Sequence, residues 1–321
     1  MRAIEFFGYP FDKYEEIIRM CSMIPVVFSS DHNFIIPTYV AILSMLANAS
    51  RRCKVYLLIS EDVTEDDKDI LRQLVAKYDA HIEFISMGSV FDNTYSIRGI
   101  TKATYFRLLI PWIIPDVDKV LYLDGDIIVA GDIAQLYDYS VDEKYLICGV
   151  RTPGYSTNGW LKKHISKNGL DYKEYINAGI LLMNCHAMRL ENFKPIFLSH
   201  TDKQYFFQDQ DILNITCKGR IGYLPLKFNF SGKILQKVKD AYIALGLASN
   251  EEVEEAETAP VVMHYAGPKP WKEFTYRWND WVEYYKMTPF YDQCLIDKIS
   301  YKTLHPDFNF KKVIKSLLKR P

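Results

Sequence analysis

Three short apolar runs near the start constrain this chain more than any other feature. Ile24-Pro-Val-Val-Phe28, Lys54-Val-Tyr-Leu-Leu-Ile59 and His81-Ile-Glu-Phe-Ile85 are rich in β-branched and aromatic residues over a strand's length. Helix-length segments separate them. Ile36 to Ala49 carries Pro37 in its first turn, where a missing N–H is tolerated. Thr64-Glu-Asp-Asp67 has the pattern of a capping box, and Ile70, Leu71, Leu74, Val75 and Tyr78 mark the apolar face of the helix that follows. This alternation predicts the βαβ rhythm of a doubly wound, mostly parallel sheet flanked by helices.

In such sheets ligands bind outside the carboxyl ends of the strands. Ser29-Ser-Asp31-His-Asn33-Phe34 leaves the first strand at that edge. So does Asp124-Gly125-Asp126, which follows the buried run Val120 to Leu123 and precedes Ile127-Ile128-Val129. Two carboxylates this close raise each other's pKa unless a cation lies between them. Mg²⁺ or Mn²⁺ suits such hard oxygen ligands. Gly125 lets backbone or ligand approach closely. A plain Asp-Gly turn is the alternative on the motif alone. The apolar runs on both sides favour a metal site that holds a diphosphate. Neither Gly-x-Gly-x-x-Gly nor a Walker loop follows the first strand, which argues against a dinucleotide dehydrogenase.

Further on, Ile100 to Ile110 reads as a helix-like run whose Lys102 and Arg107 could reach an anion. A strand is expected over Tyr145 to Val150, then a polar loop from Arg151 to about Asp171, long enough to serve as a lid. Tyr175 to Asn184 reads as a buried strand with Asn177 at its mouth. Gln208-Asp-Gln-Asp211 opens a helix, where acids complement the dipole. Tyr223 to Phe230 suggests an edge strand or extended segment, and the five glutamates between Glu251 and Glu257 an exposed, mobile stretch. Val261-Val-Met263 is a last strand. It ends in His264-Tyr-Ala-Gly267-Pro-Lys269-Pro-Trp271, which can offer imidazole to a metal and ammonium to a phosphate.

A net charge of −1 gives no reason to expect nucleic-acid binding. None of the six cysteines has metal-ligand or Cys-x-x-Cys spacing, so they read as reduced core residues of a cytoplasmic protein. No apolar run is long enough to span a membrane, and no signal-peptide core opens the chain. Phe310, Val313, Ile314, Leu317 and Leu318 follow helical spacing, with Lys311, Lys312, Lys315, Lys319 and Arg320 between them. Such a segment, 306–321, either packs on its own domain or lies on the anionic inner face of the cell membrane.

Six elements stand in the order of a known family. They are Phe28-Ser-Ser-Asp31-His-Asn33-Phe34, Ala103-Thr-Tyr105-Phe-Arg107-Leu and Leu121-Tyr-Leu-Asp124-Gly-Asp126, then Asn177-Ala-Gly-Ile-Leu-Leu-Met-Asn184, Gln208-Asp-Gln-Asp-Ile-Leu213 and His264-Tyr-Ala-Gly. Together they resemble glycosyltransferase family 8, which includes bacterial lipopolysaccharide galactosyl- and glucosyltransferases and glycogenin. The resemblance covers about Ile24 to Trp271. It implies a GT-A fold over 24–271, a Rossmann-like α/β domain, with an N-terminal extension, 1–23, and a helical C-terminal tail, 272–321. It implies retaining transfer of a hexose, galactose or glucose, from a UDP-sugar to a glycan, glycolipid or lipopolysaccharide acceptor.

By match, Asp124, Asp126 and His264 would ligate Mn²⁺ or Mg²⁺. Asp31 and Asn33 would hold the uracil-ribose end and Phe34 would stack on the base. Arg107, Asn177 and Asp209 would contact the donor sugar, and Lys269 the diphosphate; Ser29, Gly125 and Gly267 complete the donor set. Gln210 falls at the family's candidate nucleophile and, with Asp209, would form the catalytic pair. The family usually has Tyr at Phe34, and one more residue in the loop Gly267 to Trp271. A nucleotide-sugar-binding protein without transfer activity and a metal-dependent nucleotidyltransferase are the competing readings.

Overall fold

The structure, a computed structural model, describes residues 23–91, 94, 102–152, 158–232 and 236–304. The expectations for residues 1–22, for Ile100 and Thr101, and for the basic segment 306–321 fall outside them. The three opening runs form β1 (Ile24–Ser30), β2 (Cys53–Ile59) and β3 (His81–Ser86). They are joined by the helices Ile35–Asn48 and Glu65–Ala76. The second helix begins as its sequence predicts, with Thr64 and Asp67 each accepting the other's backbone N–H. β1 pairs in parallel with β2 on one side and with β4 (Lys119–Leu123) on the other.

The remaining strands are β5 (Ile127–Val129), β6 (Ile147–Gly149), β7 (Ile180–Asn184), β8 (Ile221–Tyr223) and β9 (Val262–His264). The main sheet has the order β3-β2-β1-β4-β7-β6-β8. β7 runs antiparallel to β4 and β6, while β8 is parallel to β6. That reversal matters for the site. A strand running the other way brings its amino end, preceded by Asn177-Ala-Gly179, to the edge where β1 and β4 end. Asp124 N–H donates to Gly179 C=O there, at 2.8 Å. A second, two-stranded sheet pairs β5 with β9 and sets Ile127 opposite His264.

Alternation along the central strands divides the core. Val26, Phe28, Leu121 and Leu123 face the layer that holds the helix Ile35–Asn48. Val27, Tyr56, Leu58 and Tyr122 face Tyr105, Phe106 and Leu108 on the other side. Near the end of the described chain, Trp278–Lys286 forms a helix that buries Trp281, Val282 and Tyr285 in the first layer. Its Tyr284 hydroxyl meets Asn48 Nδ2 at 2.6 Å.

Three expectations are corrected and a fourth is refined. Part of the supposed loop Arg151–Asp171 is a helix, Gly159–Lys167, with the Asn158 side chain capping it and Ile165 buried. The glutamate-rich stretch is also a helix, Asn250–Thr258. A Ser249/Glu252 capping box opens it, and Val253 and Ala256, three apart, anchor it to the core. Tyr223 to Phe230 is a strand end followed by a 3-10 turn, Leu226–Phe228. Lys102–Leu109 is likewise 3-10, continuing into a short α-helix, Ile110–Ile113. Of the described cysteines, Cys53, Cys148, Cys185 and Cys217 are buried as expected, but Cys294 is exposed.

Candidate active site

A cleft of about 530 Å³ opens at the edge where β1 and β4 end and β7 begins. Its floor is the turn Asp124-Gly125-Asp126. A Cβ on Gly125 would lie 2.5 Å from Thr38 Oγ1 and 3.1 Å from the Phe34 ring, so only glycine lets this turn sit against the helix beneath it. Gly179 is equally constrained, because a Cβ there would collide with His264 and lie 2.7 Å from Asp124 Oδ2.

The β5–β9 pairing delivers His264 to the two acids. Its Nε2 lies 3.3 Å from Asp126 Oδ1 and 3.8 Å from Asp124 Oδ2. One ligand atom from each of the three lies within 4.8 Å of the others. Two carboxylates and an imidazole converging so closely fit a divalent cation. On its far side, His264 Nδ1 meets Asn229 Oδ1 at 2.9 Å, so Nε2 is the nitrogen turned to the acids. Asp126 is buried, which opposes its charge. His264 and Lys269 overcome that penalty and hold its carboxyl well below the ordinary range. The Lys269 ammonium contacts Asp126 Oδ2 and donates to Tyr265 C=O at 2.7 Å.

Arg107 ties this floor to the opposite wall. Its guanidinium reaches Asp124 Oδ1 and Asp209 Oδ2, each at 2.9 Å, and lies 4.3 Å over the Tyr122 ring. Burial works against its charge, but the two carboxylates keep it firmly cationic. Tyr122 donates to Asp124 Oδ1 at 2.8 Å, and Thr104 to Asp209 Oδ1 at 2.5 Å. Burial pushes Asp209 up to about 6, against the pull of Arg107 and Thr104. Gln210 Oε1 accepts from Ala178 N–H at 3.0 Å and from Asn177 Nδ2 at 3.1 Å.

The structure thus gathers Ser29, Asp31, Phe34, Arg107, Asp124, Gly125, Asp126, Asn177, Asp209, Gln210, His264, Gly267 and Lys269 around one cleft. Asn33 is the exception: it is exposed in the 3-10 turn His32–Phe34, outside the lining. Asp31 caps that turn, its Oδ1 accepting Phe34 N–H at 3.0 Å. Phe34 stands edge-on to Trp271, ring centroids 5.5 Å apart. Lys269 lines the cleft despite its short loop.

Sequence reading missed several residues. Thr104 and Tyr122 lie inside quoted motifs but gave no sign of holding the acids. Asn229 carried no signal, since its partners Asn177 and His264 are 52 and 35 residues away. Gln208 lines the cleft with φ +48°, a costly conformation for a non-glycine residue. Its buried carboxamide has no hydrogen-bond partner among the described residues.

Comparison with known proteins agrees with this geometry. Residues 25–275 match the family described as Glycosyl transferase family 8. A putative glycosyltransferase of Haemophilus influenzae is 29% identical over 248 residues, which cover 76% of this chain and 71% of the relative. The lipopolysaccharide 1,3-galactosyltransferase of Salmonella typhimurium is 28% identical over 256 residues, covering 77% and 72% respectively. Among solved structures, the galactosyltransferase LgtC, in complex with donor and acceptor sugar analogues, superposes with a TM-score of 0.70 at 26% identity. That match covers 86% of this chain and all of LgtC. The fold is therefore GT-A, as in LgtC, and the chain belongs to glycosyltransferase family 8 and is a glycosyltransferase.

Proposed function

We propose that this enzyme moves a hexose, galactose or glucose, from a UDP-sugar to a saccharide acceptor, with a divalent cation, Mn²⁺ by preference, and with retention of anomeric configuration. The observation that carries this reading is the convergence of Asp124, Asp126 and His264 in the cleft lined by the donor residues. Bound there, the cation would neutralise the nucleoside diphosphate as it leaves, acting as a Lewis acid. Lys269 adds a second positive charge beside Asp126. Asp31, Ser29 and Phe34 would hold the nucleoside, and Arg107, Asn177 and Asp209 the donor sugar; all six line the cleft.

Gln210 bears on stereochemistry. An amide is a poor base and a weak nucleophile. Its Oε1 already accepts two N–H groups, which supports a role in stabilising positive charge at the anomeric carbon over one in covalent attack. Same-face attack then needs no protein base, because the departing diphosphate takes the acceptor's proton. The named relatives support a glycan or lipopolysaccharide acceptor. Among the described residues, no helix is long and apolar enough to cross a membrane. A cytoplasmic enzyme touching the anionic inner face of the membrane through 306–321 belongs to this proposal, supported by the basic amphipathic spacing of that segment.

The test is a panel of radiolabelled UDP-hexoses with Mn²⁺ and a saccharide acceptor. Transfer from one of them, with an α linkage by NMR, is the expected result. Donor binding without transfer or hydrolysis would favour a binding protein, and pyrophosphate exchange a nucleotidyltransferase. A β-linked product would refute retention.

A further inference from the structure

Three side-chain amides connect the histidine of the metal cluster to the sugar end of the cleft. His264 Nδ1 meets Asn229 Oδ1 at 2.9 Å, and Asn229 Nδ2 donates to Asn177 Oδ1 at 2.8 Å. Asn177 Nδ2 in turn donates to Gln210 Oε1 at 3.1 Å. Amide and imidazole orientations are ordinarily ambiguous. Here two backbone groups remove the choice, because a main-chain N–H can only donate. Ala178 N–H points at Gln210 Oε1 at 3.0 Å, and Gly179 N–H at Asn177 Oδ1 at 2.9 Å. Both atoms must therefore be oxygens. Asn177 then has its NH₂ toward Gln210, and Asn229 must offer its NH₂ to Asn177. That leaves the Asn229 oxygen for His264, so Nδ1 carries a proton. Nε2 is then the nitrogen that His264 presents to Asp126 and Asp124, at 3.3 and 3.8 Å, where a bound cation would take its lone pair.

We infer that Asn229, 4% exposed, is a positioning residue that couples the two ends of the site. Its oxygen fixes the imidazole so that Nε2 serves the cation. Its NH₂ holds Asn177, and through it the Gln210 amide, at the sugar. Partners of this kind, behind a ligating histidine, typically matter 10- to 100-fold for metal affinity or activity. The inference rests on the proposed cation site, and its test separates the two.

Asn229→Ala removes both functions. Asn229→Asp keeps an oxygen for His264 but sets a second oxygen against Asn177 Oδ1, so it breaks only the sugar-side link. Mn²⁺ binding is titrated directly, without donor, for wild type, H264A, N229A and N229D. Donor KM and kcat are then measured at saturating Mn²⁺. N229A is expected to bind Mn²⁺ at least about 10-fold more weakly, while N229D binds it as tightly as wild type or more so. N229D nonetheless loses kcat about 10-fold. A merely structural asparagine would move both readouts together with the melting temperature. If H264A weakens Mn²⁺ binding and N229A does not, the role of Asn229 is overturned and the cation site stands. If H264A binds like wild type, the cation site itself fails. Should N229A not fold, N229D decides: Mn²⁺ binding lost as in H264A, or normal kcat, overturns the coupling.

Discussion

Asp124-Gly-Asp126 and Asp209-Gln-Asp211 share one spacing and one arginine, yet they meet different fates. The first pair lies in a turn between two strands, where side chains two apart can share a side. Asp124 and Asp126 both line the cleft, and His264 closes the triangle. The second pair lies in the first turn of the helix Asp209–Thr216. Residues two apart on a helix do not face each other. Asp209 turns to the cleft and Arg107, while Asp211 turns inward. There it accepts from the Tyr175 hydroxyl at 2.6 Å and from Phe207 N–H at 2.9 Å, and pairs with His164 Nε2 at 3.0 Å. Identical spacing thus yields two carboxylates clustered with His264 on one backbone, and one cleft-lining carboxylate plus one inward structural anchor on the other.

The contrast breaks most directly at the first pair. Replacing Asp126 by Asn or His264 by Ala should lower Mn²⁺-dependent turnover at least ~10²-fold, about 2.7 kcal/mol of transition-state stabilisation. Near-normal turnover of either variant at limiting Mn²⁺ would sink the three-ligand site. Asp211→Asn should act on stability instead. An amide can keep its oxygen for Phe207 N–H only by turning its NH₂ to the Tyr175 hydroxyl, which now donates to the carboxylate, and the mismatch should cost about 1–3 kcal/mol in denaturant unfolding. Asp209→Asn, which weakens the grip on Arg107 and donor, should lower kcat/KM about tenfold, or about 1.4 kcal/mol, with little change in Mn²⁺ affinity.

The pH dependence sharpens the same distinction. Asp209 has a folded pKa of about 6 against an ordinary 3.8, so between those values the folded chain binds more protons than the unfolded one. Its contribution to stability is complete below the lower value and is lost as pH rises through the higher. Activity should run the other way, since the ionised carboxylate pairs with Arg107. Donor kcat/KM is expected to fall as pH drops through about 6, and a profile flat across that range would remove the assignment. The smallest effect is expected at Gln210. Gln210→Ala should slow transfer less than about tenfold and keep the α linkage, because no covalent bond to the protein is lost. Complete loss of transfer would favour a covalent role.

Much of this was legible in the chain because the signals are local. β1, β2 and β3 announce themselves by residue type, Thr64 and Asp67 by the capping pattern, and Asp124-Gly-Asp126 by its place between apolar runs. The Ser249/Glu252 box was equally readable, but the run of glutamates outweighed Val253 and Ala256. The helix Gly159–Lys167 offers only the cap Asn158 and one apolar pair at helical spacing, Leu161 and Ile165, inside an otherwise polar stretch. The reversal of β7 follows from long-range pairing that no period encodes. It makes the Asn177 amide a neighbour of Gln210, and distant contacts bring Asn229 to both Asn177 and His264. In the second acid pair, helix geometry, not spacing, decides which carboxylate faces the cleft.

Direct Mn²⁺ titration of wild type, Asp126→Asn and Asp211→Asn, each confirmed folded, tests the central claim with no assumption about donor or acceptor. Wild type and Asp211→Asn should each bind one ion per chain with similar affinity, and Asp126→Asn should lose that binding. Equal binding by all three, or loss confined to Asp211→Asn, would contradict the assignment of the cation to the Asp124-Gly-Asp126 turn.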